Sequence, residues 1–320
     1  MHLTVAICTW NRADSLRRTL ASLAKLSLPD MRVSVVVIDN NCTDHTQDVV
    51  AAAALPMPVA CVREPQSGLS NARNAAVRQA RDNGSDYILF TDDDIEMDRD
   101  WLVAYETAFL SHPASIVFGG PITPVFAQEP ATWIRQNMSA LRGPFGLVDH
   151  GGEDREMSRE HDMPFGANMA YRIDALEPSP FDPGLGVAPG RRMGGEESDV
   201  SRRLLHRHAQ QWVYVARARV WHHLAESAVQ PGYLYMHLRT TGHLAGRDPS
   251  ATTRSVFWPS SFPPRWLVRQ YATTWLLRRM LWLTRNRDGS YARVFSHEAI
   301  LRGHLDMYTR PDTAGGHYAR

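Results

Sequence analysis

The sequence predicts an α/β protein, a sheet covered by helices on both faces, followed by a helical extension. Three observations carry this. Short β-branched apolar runs alternate with amphipathic stretches from Leu3 to Thr91, polar clusters stand at the ends of those runs, and past Pro231 the pattern turns helical and aromatic. In such folds ligands gather at the carboxyl ends of the strands.

The elements follow in order. Leu3–Thr9 and Val33–Ile38 read as strands, and between them Ala13–Leu26 places Leu16, Leu20 and Leu23 at helical spacing. Asp44 is suited to cap a second helix through Val49 to Ala54, Val59–Arg63 reads as a third strand, Ser70–Ala80 as a helix and Tyr87–Thr91 as a fourth strand. Beyond Trp101 the pattern loosens. Ile116–Gly120 is strand-like, Gly143–Met163 is expected to be a mobile loop over the site, and Val213–Trp221 is again strand-like. Pro259, Pro263 and Pro264 interrupt the helical tail.

With 43% hydrophobic residues over 320 positions the chain can bury a full core, so disorder is excluded. Cys8, Cys42 and Cys61 are too few and wrongly spaced for a disulfide framework or a zinc site. The start lacks the basic residues and cleavage site of a secretory signal, and no run reaches the length of a membrane span. A cytoplasmic protein is expected, with a peripheral position at the inner face of a membrane as the variant.

The net charge of +1 conceals an asymmetry. From Gln230 onward thirteen arginines face five acids, a charge of +8, which leaves −7 on the rest. Boundaries at 1–229 and 230–320 are therefore expected. The basic segment lacks the aromatic-interleaved module of a nucleic-acid binder, so no nucleic-acid partner is expected.

The chemistry concentrates in polar motifs. Asp92, Asp93 and Asp94 follow a buried strand directly, and a divalent cation that neutralises a diphosphate is a reason to keep three mutually repelling carboxylates together. The plainer reading is a turn that caps the helix near Trp101. Thr9-Trp10-Asn11-Arg12, Asp39-Asn40-Asn41-Cys42-Thr43-Asp44, Gly68-Leu69-Ser70-Asn71-Ala72-Arg73-Asn74 and Asp92-Asp93-Asp94 occur in that order. The order resembles the family 2 glycosyltransferases, whose GT-A fold is a Rossmann-like mixed sheet with helices on both faces, over residues 3 to 223.

The resemblance implies the site. Thr9 and Asp39 would hold the nucleobase, Arg12 and Arg73 would lie near the ribose and diphosphate, and Asn11, Asn74 and Asp93 belong to the same donor-binding motifs. Asp92 would contact ribose or metal, and Asp94 would ligate the metal. Asn41-Cys42 departs from the Gly-Ser of many relatives. Phe165-Gly166-Ala167-Asn168-Met169 looks like the strand lining the sugar pocket, with Gly166 allowing close approach and Asn168 bonding sugar hydroxyls. Glu196, Glu197 and Asp199 resemble the acidic catalytic motif, with Glu197 as base, Glu196 orienting the acceptor and Asp199 on the helix; helix-capping acids are the alternative. In Val220-Trp221-His222-His223, His222 would be a third metal ligand.

The expected activity is inverting, metal-dependent transfer of a sugar from a UDP- or dTDP-linked donor to a hydroxyl acceptor: a glycan, a lipid-linked glycan or a small glycoconjugate. Manganese or magnesium suits the ligands. A non-catalytic sugar-nucleotide-binding subunit would not need Glu196, Glu197 and His222. A nucleotidyltransferase would carry a lysine-bearing glycine loop after the first strand, and the chain has only Lys25. The 230–320 extension is expected to serve acceptor recognition, oligomerisation as a homodimer, or membrane contact. Within it, Trp266–Thr284 is rich in Trp and Leu but scatters Arg269, Arg278 and Arg279 around the helix. Two placements follow: packed with its arginines paired to the acidic first part, or lying at a membrane interface.

Overall fold

The computed structural model describes residues 1–157, 163–192, 194–208, 211–246, 265–283 and 289–309. They form two compact units, one of Met1–Val125, Val148–Pro189 and Glu196–His223, the other of Phe126–Leu147, Gly190–Gly195 and Leu224–Arg320. The second unit draws in 126–147 from the first half of the chain.

In the first unit the strands are β1 (His2–Thr9), β2 (Arg32–Asp39), β3 (Val59–Arg63), β4 (Tyr87–Asp92), β5 (Ile95–Met97), β6 (Val117–Gly119), β7 (Ile122–Phe126), β8 (Arg155–Met157) and β9 (Met169–Arg172). Short strands β10 (Val187–Ala188) and β11 (Arg191–Arg192) precede β12 (Trp212–Tyr214) and β13 (Val220–Leu224). The helices around them are α1 (Ala13–Leu23), α2 (Thr46–Ala51), α3 (Leu69–Asp82) and α4 (Trp101–Ser111); the short helices α5 (Thr132–Arg135) and α6 (Arg142–Phe145) and strand β11 belong to the second unit, and α7 (Glu196–Arg207) returns to the first.

The main sheet has the order β3-β2-β1-β4-β9-β6-β12-β8. Strands β3, β2, β1 and β4 run parallel, and β9 runs antiparallel between β4 and β6. A parallel sheet covered on both faces needs apolar residues throughout. β1 answers this with Leu3, Val5, Ala6 and Ile7 all fully buried. Behind the sheet the rings of Tyr87 and Phe109 stack with centroids 3.8 Å apart, and Phe118 meets Phe109 edge-on at 4.9 Å.

Three expectations change. The second helix stops at Ala51, because the chain turns there towards β3. The run Val213–Trp221 is two strands, β12 in the main sheet and β13 in a second sheet of order β5-β13-β7. The segment expected to be a mobile loop contains β8, which supplies hydrogen-bonding partners to the open edge of β12; its residues 158–162 lie outside those described.

The second unit is helical: α8 (Pro231–Gly246), α9 (Arg265–Leu283) and α10 (Gly289–Thr309). Leu234, Leu238, Ala292, Phe295 and Ala299 form its core with Trp133 and Phe145. Gly242 lies so close to the backbone of Ile300 that a Cβ there would collide with its carbonyl, so α8 and α10 can approach only through glycine.

Candidate active site

Register explains why distant motifs meet. Thr9 stands opposite Asp39 across β1 and β2, and Cys8 opposite Asp92 across β1 and β4, so three polar strand ends share one edge of the sheet. The loop after β2 is shaped by Asp39. Its Oδ1 accepts from the Cys42 N–H at 2.7 Å and its Oδ2 from Gln47 Nε2 at 2.9 Å. Burial alone would raise this carboxyl, but those two donors outweigh it and hold it below the usual range. Asn41 sits at φ 70°, a left-handed conformation that asparagine tolerates better than other side-chain-bearing residues, which fits it to a position where the family resemblance leads one to expect glycine. Asn11, at φ 53°, accepts from the Thr43 N–H at 2.7 Å and ties the loop after β1 to the loop after β2.

The acid triplet is knit to the first motif. Thr9 Oγ1 donates to Asp93 at 2.7 Å, and Arg12 bridges Asp93 at 2.8 Å and Asp94 at 2.7 Å. β13 pairs antiparallel with β5 so that His222 stands opposite Ile95, bringing its Nε2 to 3.4 Å from Asp94 Oδ1. Burial pushes Asp93 up to about 7 despite Arg12, whereas His222 and Arg12 together overcome burial at Asp94 and hold it at about 2. Asp93 and Asp94 do form a turn, between β4 and β5, but the capping half of the plain reading falls away: helix α4 begins after Asp100, beyond an intervening strand, and the triplet does not cap it. Among the described residues no three His, Cys, Asp or Glu side chains form a complete metal cage. The residues that could contribute to a cation site, completed by a bound diphosphate, are Asp94 and His222. Arg12 already places a positive group between two buried carboxylates, and Asp94 Oδ1 is closed off from solvent with only the long contact to His222.

A second cluster surrounds Arg73 on α3. Its Nη1 lies 2.5 Å from Glu196 and 3.4 Å from Glu197, and its Nη2 lies 3.9 Å from Asp92. The guanidinium carbon is 6.0 Å from the Phe90 ring centre and 5.7 Å from that of Phe181. Gly166 presses its backbone on the guanidinium, where any Cβ would overlap it, so this glycine serves Arg73. Asn74 exchanges two hydrogen bonds with the backbone of Phe181, at 2.8 and 2.9 Å, and so positions that ring. Burial first, then the Glu197 carboxylate, push Glu196 up to about 8 against the pull of Arg73. Glu196 is 2% exposed at its side chain and Glu197 18%, so Glu197 is the carboxylate that solvent-side groups can reach. Both acids open α7, where the helix dipole favours negative charge.

Two expected residues stand elsewhere. Asn168 is fully buried, and its amide is consumed within the protein: Oδ1 accepts from Trp101 Nε1 and the Tyr105 hydroxyl, and Nδ2 donates to the carbonyls of Pro121 and Ala218. It cannot also bond sugar hydroxyls, since an amide has no further capacity in such a setting. Asp199 pairs with Arg203 at 2.9 Å one turn along α7 and takes no part in the Arg73 cluster. Sequence reasoning did not find Gln47 or Phe181. A glutamine in an ordinary helix and a phenylalanine in a loop carry no signal until the tertiary structure sets them beside Asp39 and Arg73.

A mixed sheet of this topology, with its acids and arginines collected at the ends of the parallel strands, defines a nucleotide-diphospho-sugar transferase of GT-A fold. The model of glycosyl transferase family 2 matches residues 4–178, more than half of the chain, and the chain belongs to that family. It is therefore a glycosyltransferase that uses a nucleotide sugar. A curated relative, glucosyl-dolichyl phosphate glucuronosyltransferase of Haloferax volcanii, is 21% identical over 229 residues, covering 71% of this chain and 70% of the relative. Two solved structures share the fold. Mannosyltransferase PcManGT from Pyrobaculum calidifontis, in complex with GDP-Man and Mn2+, has a TM-score of 0.61 at 18% identity, over 97% of this chain and 87% of that one. S. aureus TarS 1-349 in complex with UDP-GlcNAc has a TM-score of 0.53 at 16% identity, over 100% and 93%.

Proposed function

We propose that the chain is a metal-dependent, inverting glycosyltransferase that moves a sugar from a UDP- or dTDP-linked donor to a hydroxyl acceptor, with a glycan, a lipid-linked glycan or a small glycoconjugate as the acceptor class. The observation that carries this reading is the meeting of two unlike charge clusters at one sheet edge. Arg12, Asp93, Asp94 and His222 form one, and Arg73, Glu196 and Glu197 the other.

The division of labour we assign is as follows. Thr9 and Asp39 frame the base, and Arg12 and Arg73 offer positive charge to the ribose and diphosphate. Asp94 and His222 would hold a divalent cation, with Asp92 beside them, and a bound cation would neutralise the leaving diphosphate. Glu197 takes the proton of the acceptor hydroxyl as its oxygen attacks the anomeric carbon from the face opposite the diphosphate. The new glycosidic C–O bond forms as the C–O bond to the diphosphate breaks. Glu196, expected to orient the acceptor, is sealed from it at 2% exposure, and in its place we give it the task of orienting Glu197 while braced on Arg73 and carrying a proton. The ligands of the similar structures, UDP-GlcNAc in one and GDP-Man with Mn2+ in the other, support a nucleoside diphosphate sugar as donor and a divalent cation, and the first of them supports the uridine choice. The name of the archaeal relative supports a lipid-linked acceptor.

The test titrates nucleoside diphosphates against wild type and Asp94→Asn, with manganese and with a chelator, following heat produced and thermal protection. Donor affinity should depend on manganese in wild type and lose that dependence in the variant. Equal affinity of wild type with manganese and with chelator would refute the metal-dependent reading.

A further inference from the structure

The helix α9 is apolar on two opposite faces. Leu267, Tyr271, Thr274, Arg278 and Leu281, at spacings of four and three, are its less exposed residues. They lie on the α10 side, where Leu267 clusters with Leu301 and Leu305, Arg278 meets Glu298 at 3.0 Å and Arg302 lies over the Tyr271 ring. The opposite face carries Leu276, Met280 and Leu283 at 55%, 63% and 71% exposure, flanked by Trp275 and Trp282. Seven of the twelve large hydrophobic residues that are exposed among the described residues belong to this one helix. Uncovered apolar area of this kind, here interspersed with arginines, marks an interaction surface.

We propose that this outer face of α9 docks in the plane of an anionic lipid surface. Charge selects this occupant. α9 contains no acid, and its outer face adds Arg269 and Arg279, both exposed, with the Arg279 guanidinium 5.2 Å from the Trp275 ring centre. Among the described residues, the acids packed against α9 are already used: Glu298 by Arg278, and Asp306 by Arg239 and Arg302. A second copy meeting the same face about a twofold axis would set these arginines against their own kind with no acid to answer them. Lipid phosphates answer them directly, with indole rings at the headgroup level and leucines below. No described helix is long and apolar enough to cross a membrane, so the helix lies along the surface. Arg278 pairs within its own unit, and the expected pairing of Arg278 with the acidic first part of the chain is replaced by Glu298.

Co-sedimentation of the full chain with phosphatidylcholine vesicles, with and without phosphatidylglycerol, tests this. Wild type should bind the anionic vesicles, and binding should weaken as salt screens the arginines. Arg269→Gln with Arg279→Gln should lower affinity by roughly five-fold per arginine. Leu276→Ser with Leu283→Ser should abolish binding while the melting temperature holds. If the serine variant fails to fold, the arginine variant, altered only at exposed positions, still decides. Absence of wild-type binding to anionic vesicles overturns the proposal. So does binding that neither variant changes, or a dimer in sedimentation velocity that the serine variant dissociates, which would make a second copy the occupant.

Discussion

Each unit of the molecule buries one glutamate against one arginine beside aromatic rings, and the two arrangements differ in their balance of charge. In the helical unit Glu298, 1% exposed, receives Arg278 at 3.0 Å and the Tyr235 hydroxyl at 2.9 Å, while Arg278 lies over the Tyr235 and Phe295 rings. One acid meets one base, and a neutral donor completes the set. In the sheet unit Arg73 has the same aromatic setting from Phe90 and Phe181 but serves Glu196, Glu197 and, more distantly, Asp92. The acids outnumber the base. A balanced buried pair has nothing left to offer a ligand, whereas a surplus of carboxylate around one arginine keeps a proton in play and a charge available.

Arg73→Met should show the largest effect. Removing one partner of a buried pair costs about 3–5 kcal/mol, to be read in urea unfolding, and nucleotide binding should fall with it. Arg278→Met should cost less, because Tyr235 still donates to Glu298, and the folded variant should transfer sugar at the wild-type rate. Loss of transfer in folded Arg278→Met would break the comparison.

Next in size, Glu197→Gln should slow transfer by about 10²-fold or more, the scale of a lost general base, with donor affinity preserved; Glu298→Gln should leave the rate unchanged. Steady-state kinetics on both variants decides this. A Glu197→Gln enzyme at full rate beside a dead Glu196→Gln enzyme would reverse the two roles.

The effect of pH is smaller and has a definite sign. Glu196 is raised from 4.5 to about 8 in the folded chain, so between those values the folded state holds a proton that the unfolded state has lost. Its contribution to stability is complete below about 4.5 and is lost as pH rises towards 8. Melting temperature should therefore fall across this window more steeply in wild type than in Glu196→Gln. Parallel profiles for the two proteins would show that Glu196 is ionised throughout. Smallest of all, Asp199→Asn removes a half-exposed pair with Arg203 and should shift stability by less than about 1 kcal/mol, with transfer nearly unchanged.

Much of the first unit was legible because its signals are local. β3 was placed residue for residue, and β1, β2 and β4 to within a residue or so at each end, since apolar β-branched runs report burial directly. The pattern placed Asp39 and the acid triplet at strand ends, where the structure has them. What failed was the assignment of direction. Asn168 is expected on a strand lining the sugar pocket but lies in a 3-10 turn, Gly166–Asn168, just before β9, with its amide turned into the core, because Trp101 and Tyr105, more than sixty positions earlier, bring two donors to its oxygen. Gly166 was taken for a sugar-side glycine and lies against Arg73. A sequence shows which residues can make hydrogen bonds; it does not show which neighbours have already claimed them.

By itself, the sequence determined the alternation of strand and helix, the family-like order of polar motifs and the basic character of the tail, because periodicity, turn chemistry and net charge are properties of nearby residues. Only the tertiary structure decided that His222 meets Asp94, that Glu196 rather than Glu197 is sealed against Arg73, and that α9 leaves one apolar face uncovered. The first two rest on register or packing between segments far apart in the chain, as when β13 aligns with β5 and carries His222 to Asp94 across more than a hundred residues, and the third on which side of α9 packs against α10.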